Sequence, residues 1–341
     1  MADSAANHQY PVVSLILPIR NEAEYILATL QSITHQDYPL DRMEILVVDG
    51  MSTDSTRNIV ENFIHANPAL NLEMLVNPKK IVPPALNIGI KQSTGEYILW
   101  LSGHSELPEY YVSTVVEYLQ RGDVQNVGGQ VVPVGRTYLE RAIAMAISSP
   151  FFIGNSYFRY GEEERLVDTV FPGAFPREIF DEVGYFDEEL VRHQDYDFNL
   201  RLRNAGGKIL YVPNLKVKYF PRSSMRALFK QYFQYGVWKV RVTQKSRQAF
   251  RIRHLAPTTL VFGFLIASLL ALFVPSLRFY YGIGLGLYLL GTVVVSLLVS
   301  WQNKTWKYLP ALPVIFSAIQ FGWGSGFWWG AVKWNFIDRL K

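Results

Sequence analysis

A carboxylate, a glycine and a run of hydroxyl and carboxyl side chains follow one another in Asp49-Gly50-Met51-Ser52-Thr53-Asp54. They close Ile45-Leu46-Val47-Val48, an apolar run rich in β-branched residues. Such a run predicts a strand buried on both faces, as in a parallel sheet. Ser52, Thr53 and Asp54 offer N-cap oxygens to a helix predicted over 55–65. Asp49 then stands at the carboxyl end of a central strand, where open α/β sheets bind ligands. The alternative is a carboxylate that caps a turn. Ser102-Gly103-His104-Ser105 ends a strand predicted over 96–101, and its imidazole has a plain reading as a hydrogen-bonded turn residue. Asp195 and Asp197 open a helix marked by Phe198, Leu202 and Ala205 and ended by Gly206-Gly207. Carboxylates there are favoured by the helix dipole alone.

The elements that position these residues alternate. Strands are predicted over 12–17, 45–48, 72–76, 96–101, 126–132, 168–171, 209–212 and 217–220. Asn21 is read as the cap of a helix over 22–34. Further helices are read over 84–92, opened by Pro83-Pro84, and over 108–120 and 138–148. Strand–helix–strand spacing predicts right-handed βαβ units. No Gly-x-Gly-x-x-Gly follows the first strand and no Gly-x-x-x-x-Gly-Lys occurs. That argues against a dinucleotide dehydrogenase and a P-loop enzyme.

Val47-Val48-Asp49-Gly50-Met51-Ser52-Thr53-Asp54 resembles the nucleotide-sugar signature of family-2 glycosyltransferases, and the resemblance runs from about Val12 to the C-terminus. The ExoA-like, succinoglycan-biosynthesis subfamily is the nearest in pattern. Ala85-Leu86-Asn87-Ile88-Gly89 is similar to the family's Ala-x-Asn-x-Gly helix. Pro172-Gly173-Ala174-Phe175-Pro176-Arg177 is similar to its Gly-x-x-x-Arg segment, and Gly184-Tyr185-Phe186-Asp187-Glu188 to its Gly-x-Phe-Asp-Glu turn. The resemblance implies an α/β, GT-A nucleotide-sugar-binding domain with a mixed, mostly parallel sheet, followed by C-terminal transmembrane helices. It implies nucleotide contacts from Pro18, Arg20, Glu22, Asp49, Asn87 and Ser102, with the helix dipole as a rival account of Glu22. It implies His104 as ligand to a divalent cation, Mn²⁺ or Mg²⁺, although Ser102 stands where the family has Asp. It implies Asp195 as catalytic base, with Gln194 in place of the family's preceding Glu.

The net charge of +4 hides a division: residues 1–197 carry −15 and residues 198–341 carry +19, with no acid between Asp197 and Asp338. Such asymmetry suits nucleic acid or membrane. Three apolar segments, about 257–275, 279–300 and 309–332, decide for the lipid bilayer and against nucleic acid. Residues 223–256 read as basic amphipathic interfacial helices. The organisation expected is a polar tail over 1–10, a catalytic domain over 11–222, the interfacial stretch, a transmembrane region over 257–335 and a tail over 336–341. Three spans are preferred over a re-entrant third segment. The polar N-terminus carries no signal-peptide pattern. There is no cysteine, so no disulfide or thiolate site forms.

The expected activity is inverting transfer of a sugar from a nucleotide-diphosphate donor, uridine-linked by family habit, to a polyprenyl-diphosphate-linked saccharide. The setting is the cell membrane, multi-pass, with the catalytic domain cytoplasmic by the positive-inside rule. A polyprenyl-phosphate monosaccharide synthase is the alternative within the class. An inactive membrane scaffold is the alternative outside it, and Ser102 favours that one.

Overall fold

The structure is a computed structural model that describes residues 10–153 and 156–337. Most of the two expected terminal tails lies outside the described residues. In chain order the strands are β1 (Val13–Ile19), β2 (Met43–Asp49), β3 (Asn71–Val76), β4 (Tyr97–Trp100), β5 (Ser105–Glu106), β6 (Asn126–Pro133), β7 (Arg165–Leu166), β8 (Gly173–Pro176) and β9 (Ile209–Tyr219). The α-helices of five or more residues are α1 (Ile26–Thr34), α2 (Thr56–Ala66), α3 (Val82–Gln92), α4 (Tyr111–Gln120), α5 (Tyr138–Ile147), α6 (Ile179–Val183), α7 (Gln194–Asn204), α8 (Met225–Lys245), α9 (Leu255–Phe273), α10 (Leu277–Gln302) and α11 (Leu312–Val332). The described residues form two compact units: 10–132 with 156–220, and 133–153 with 221–337. The stretch 133–153 thus groups with the C-terminal helices.

The first unit is built on one sheet in the order β3-β2-β1-β4-β8-β6-β9-β5, with β7 on β9. β1 pairs in parallel with β2 and β4, and β2 with β3, whereas β8 runs antiparallel to β4. β1 and β2 are buried along their length, and mostly apolar, because both faces are covered. Val13, Leu15, Leu17 and Ile19 join Ile26 and Leu30 of α1, Val60 of α2 and Val112 and Val116 of α4 in one core. Ile16, Val48 and Trp100 join Leu86 of α3, Phe180 of α6 and Phe198 of α7 in the other. The parallel register sets Ile19 beside Asp49 and Asp49 beside Val76. The loops after β1, β2, β3 and β4 therefore emerge at one edge. Gly173 pairs with Trp100, so the residues just before β8 reach the same edge.

Three local expectations are corrected. Residues 168–171 are irregular; the strand is β8, whose pairing with β4 fixes its place five residues on. The strands expected over 209–212 and 217–220 are one strand, β9. Helix α1 begins at Ile26 with no side-chain cap. Asn21 is not its cap, because its side chain accepts from Thr53 N, 32 residues on, at 2.8 Å.

In the second unit, α9 and α10 are long and apolar enough to cross a membrane, with mean hydropathies of 2.1 and 2.2. The third apolar segment forms α11, which packs along α8. Gly322 lies on Phe229, Gly326 on Phe233 and Gly330 on Val237, so the two helices run parallel in a four-residue register. A Cβ at Gly326 would overlap the Phe233 carbonyl. Small residues at this spacing permit such close backbone approach. By contrast, Gly282 and Gly286 of α10 meet nothing. Ile143 and Ala146 of α5 join Leu228, Ile315 and Ile319 in this unit's core.

Candidate active site

Asp49 ends β2 with its side chain 0% exposed. Its carboxylate accepts from Ser52 N at 3.1 Å, from Ser52 Oγ at 2.6 Å and from Arg57 Nη1 at 3.1 Å. Ser52 Oγ in turn accepts from Asn21 N at 2.9 Å, and Thr56 Oγ1 accepts from Glu22 N at 2.8 Å. The loops after β1 and β2 are thereby stitched together, and Asp49 is the buried anchor of the stitch. Asp54 supports the same turn. Burial pushes its carboxyl up, but hydrogen bonds from the side chain and backbone of Thr56 outweigh this and hold it below the ordinary range.

The stitch ends on His104. Glu22 Oε1 stands 3.0 Å from His104 Nδ1. Thr29 Oγ1 of α1 holds the Gly103 carbonyl at 3.0 Å, and a Cβ on Gly103 would press on the Glu22 side chain. Tyr219 packs its ring edge-on against His104, with centroids 5.1 Å apart. Ser102 Oγ pairs with Ser105 Oγ at 2.6 Å. A proton on Nδ1 given to Glu22 leaves the Nε2 lone pair for a metal, the arrangement by which carboxylates orient ligating histidines. Among the described residues no three His, Asp or Glu side chains gather as a metal site. His104 alone would supply one ligand to a cation, and phosphates and water can complete such a shell, as for Mg²⁺ in phosphate-bound sites.

Asp195 lies in the first turn of α7, whose N-cap residue His193 is left-handed at φ 64°. Asn199, one turn on, donates to Thr169 Oγ1 at 2.8 Å and accepts from Asn126 Nδ2 at 2.9 Å. Thr169 precedes β8, and a Cβ on Gly173 would stand 2.9 Å from Asn126 Oδ1. Both anchors therefore hold α7 near the end of β4, on the edge that carries His104. Asp197 is buried and bound to Arg201 Nε at 3.0 Å.

The remaining residues divide by exposure. Arg20 is exposed and its stem passes over Gly50. Pro18 is buried. Asn87 is 4% exposed, and its amide is spent on the 186–188 turn: it donates to Phe186 O at 2.9 Å and Glu188 Oε1 at 3.1 Å and accepts from Phe186 N at 3.0 Å. Lys79 caps this turn through Glu188 at 2.5 Å. Hydrogen bonds from Lys79 and then Asn87 hold the Glu188 carboxyl below its usual range. Arg177 donates to Gly95 O and Ser93 Oγ at the opposite edge of β4, away from this site. Arg57 and Tyr219 escaped sequence reading. Arg57 carried a signal, one helical turn past the signature; Tyr219 carried none, being 115 residues from His104.

A mostly parallel sheet with strand-end loops of this kind defines the nucleotide-sugar transferase fold of GT-A type. The chain belongs to glycosyltransferase family 2: the family model described as Glycosyl transferase family 2 matches residues 14–184. The chain is 30% identical over 331 residues, 95% of its length and 98% of the relative's, to the dolichyl N-acetyl-α-D-glucosaminyl phosphate 3-β-D-2,3-diacetamido-2,3-dideoxy-β-D-glucuronosyltransferase of Methanococcus voltae. It is 26% identical over 319 residues, 92% of its length and 93% of the relative's, to the succinoglycan biosynthesis protein ExoA of Rhizobium meliloti strain 1021. Among solved structures, the mannosyltransferase PcManGT of Pyrobaculum calidifontis, in complex with GDP-Man and Mn²⁺, superposes with a TM-score of 0.58 at 20% identity. That match covers 91% of this chain and 87% of the other. The protein is a glycosyltransferase.

Proposed function

We propose that this glycosyltransferase moves a sugar, with inversion, from a nucleotide-diphosphate donor to a hydroxyl of a polyprenyl-linked saccharide at a membrane. The observation that carries the acceptor class is the near full-length match to an enzyme named for a dolichyl-phosphate-linked sugar. Two apolar helices in the same chain suit such an acceptor.

Asp195 is the general base. As the acceptor oxygen attacks the anomeric carbon, its proton passes to the Asp195 carboxylate. The new C–O bond forms opposite the breaking bond to the diphosphate, so one displacement inverts the configuration. Arg20 faces the nucleotide, whose base is uracil by family habit. Pro18, Glu22, Asp49, Asn87 and Ser102 complete the nucleotide site, as the family pattern implies. His104, oriented by Glu22, would hold a divalent cation, which when bound neutralises charge on the departing diphosphate.

Arg247, Arg251 and Arg253 precede α9, and Lys304 and Lys307 follow α10. The positive-inside rule puts both ends, and the catalytic unit, in the cytoplasm. Helix α8 carries Arg226, Lys230, Lys239, Arg241 and Lys245, too many charges for hydrocarbon. As α11 lies along α8, we assign α9 and α10 as the two spans and α11 to the interface.

Asp195→Asn keeps shape and removes basicity. Transfer should fall roughly 10²–10⁴-fold while donor binding persists. Assays of lipid-linked product with phosphate-only and saccharide-bearing polyprenyl acceptors separate this reading from a monosaccharide synthase. Wild-type transfer by Asp195→Asn, or a product retaining the donor's anomeric configuration, would remove Asp195 from its role.

A further inference from the structure

Arg201 sits two turns along α7 from Asp195 and spends its whole guanidinium on one task. Nε bonds Asp197 Oδ2 at 3.0 Å. Nη1 donates to Val183 O at 2.6 Å and Gly184 O at 3.3 Å, and Nη2 to Tyr185 O at 2.9 Å. Three consecutive carbonyls of one turn are thus tied to a carboxylate in the first turn of α7. Asn87 grips the next residue, Phe186, through both its N–H and C=O, and reaches Glu188. The Phe186 ring stacks on Phe198 of α7 with centroids 4.7 Å apart. Every residue from Val183 to Phe186, and Glu188 beyond, is held by a named side chain. The chain then has five residues, 189–193, in which to reach α7, and it enters through left-handed His193, whose carbonyl accepts from Asp197 N at 2.9 Å.

The Arg201 restraint joins the 183–185 turn to Asp197, two residues past Asp195, and the Asn87 restraint holds the start of the segment that leads into the same helix turn. We propose that Arg201 and Asn87 are positioning residues that fix the first turn of α7, and with it the carboxylate of Asp195, for proton abstraction. The inference rests on the reading of Asp195 as base. Misplacing a reacting group by about 1 Å can cost 10²-fold in rate. Lysine at 201 keeps a charge for Asp197 but has no planar fork to span three carbonyls. Asn87→Ala loosens the same turn from the opposite side.

The test uses the full-length, detergent-solubilised protein. Nucleoside diphosphate release is measured with UDP-glucose, UDP-N-acetylglucosamine and GDP-mannose over a polyprenyl-linked N-acetylglucosamine acceptor, and the donor that wild type turns over is used for the variants. Arg201→Lys and Asn87→Ala should each lower kcat roughly ten- to a hundredfold, and in Arg201→Lys the KM for the donor should change less than about twofold. Arg201→Lys added to Asp195→Asn should cost nothing further, because a residue acting only through the base has no effect once the base is gone. Thermal melting identifies any variant that is unfolded, and the other variant then carries the test. Wild-type kcat in a folded Arg201→Lys or Asn87→Ala protein overturns the inference, as does an undiminished loss in the Asp195→Asn background. Full activity of Asp195→Asn alone overturns the base assignment, and the positioning role with it. Slow Asp195→Asn with fast Arg201→Lys leaves the base standing and removes only the positioning role.

Discussion

Replacing Asp49 by alanine separates a brace from a ligand. The carboxylate is fully enclosed and takes two bonds from Ser52 and one from Arg57. A hydrogen bond to a charged group contributes about 1.5–3 kcal/mol, and leaving a buried ion without its partner costs about 3–5 kcal/mol. These terms overlap, and the orphaned partner here, Arg57, is 36% exposed and can be rehydrated. The lower end of the pair cost is therefore the better guide, roughly 3–4 kcal/mol in all. For a unit of about 200 residues each kcal/mol moves the midpoint by roughly 2–4 °C, so melting should fall by roughly 6–16 °C. Ser52→Ala, which removes one donor and the link to Asn21, should lie between this variant and wild type.

The assay is a melt followed by tryptophan fluorescence, paired with calorimetric titration of UDP and GDP below the transition. Asp49→Ala should melt early, and its nucleotide affinity should fall only because the loops carrying Arg20 and Glu22 loosen. Hydrogen exchange at the Asn21 and Ser52 amides should quicken. A variant that melts with wild type yet loses nucleotide binding would refute the reasoning, since the carboxylate would then be meeting the ligand directly.

Other perturbations follow from the same contacts. His104→Ala should lower transfer and abolish any preference for Mn²⁺ over Mg²⁺, which an imidazole ligand favours; activity in chelator equal to that with metal would count against it. Glu188 titrates lower folded than unfolded, so its contribution is present above the unfolded value near 4.5 and is lost as pH falls through the lower folded value. Glu188→Gln should therefore destabilise at pH 7 and progressively less below about pH 4.5, as read by urea midpoints across pH. Gly326→Val should destabilise by about 1–3 kcal/mol through overpacking on Phe233, whereas Gly282→Val, facing open space, should be near neutral in the same melt. A reporter fused to the C-terminus should be active in the cytoplasm, and periplasmic or external activity would restore a third span.

Much of the sheet was legible because its signals are local. The run Ile45–Val48 is apolar on both sides of its pleat, and it is a strand covered on both faces. The position of Asp49 at the strand end followed from that run alone. What it does there did not follow, because burial depends on Arg57 and Ser52 folding back over it. Asn87 was placed on the correct helix, but its partners lie 99 and 101 residues away, and no periodicity reports them. Composition was equally blind to α11. Its apolar stretch resembles a span, and only the parallel packing of Gly322, Gly326 and Gly330 on α8 shows where its small face goes.

The backbone itself marks the functional edge. Five described non-glycine residues have positive φ; apart from Lys304, which follows α10, they are Asn21, Met51, Lys80 and His193, between 56° and 64°. The first three follow β1, β2 and β3, and the last enters α7. Such conformations cost of order 1–3 kcal/mol, less for asparagine, and persist only where surrounding contacts over-determine them. The contacts are identifiable in each case: Asn21 is held by Ser52 and Thr53, Met51 lies inside the Asp49–Ser52 turn, and Lys80 N bonds Asn77 O. His193 accepts from Asp197, which Arg201 anchors. Strain gathered at one edge, each part locked by a separate network, is what a preorganised site requires. It also bears on Ser102. A family carboxylate is missing there, yet the loops around it retain their restraints, and Glu22 has been drawn onto His104. A carboxylate does reach this loop, from Glu22 after β1, and it meets the His104 imidazole.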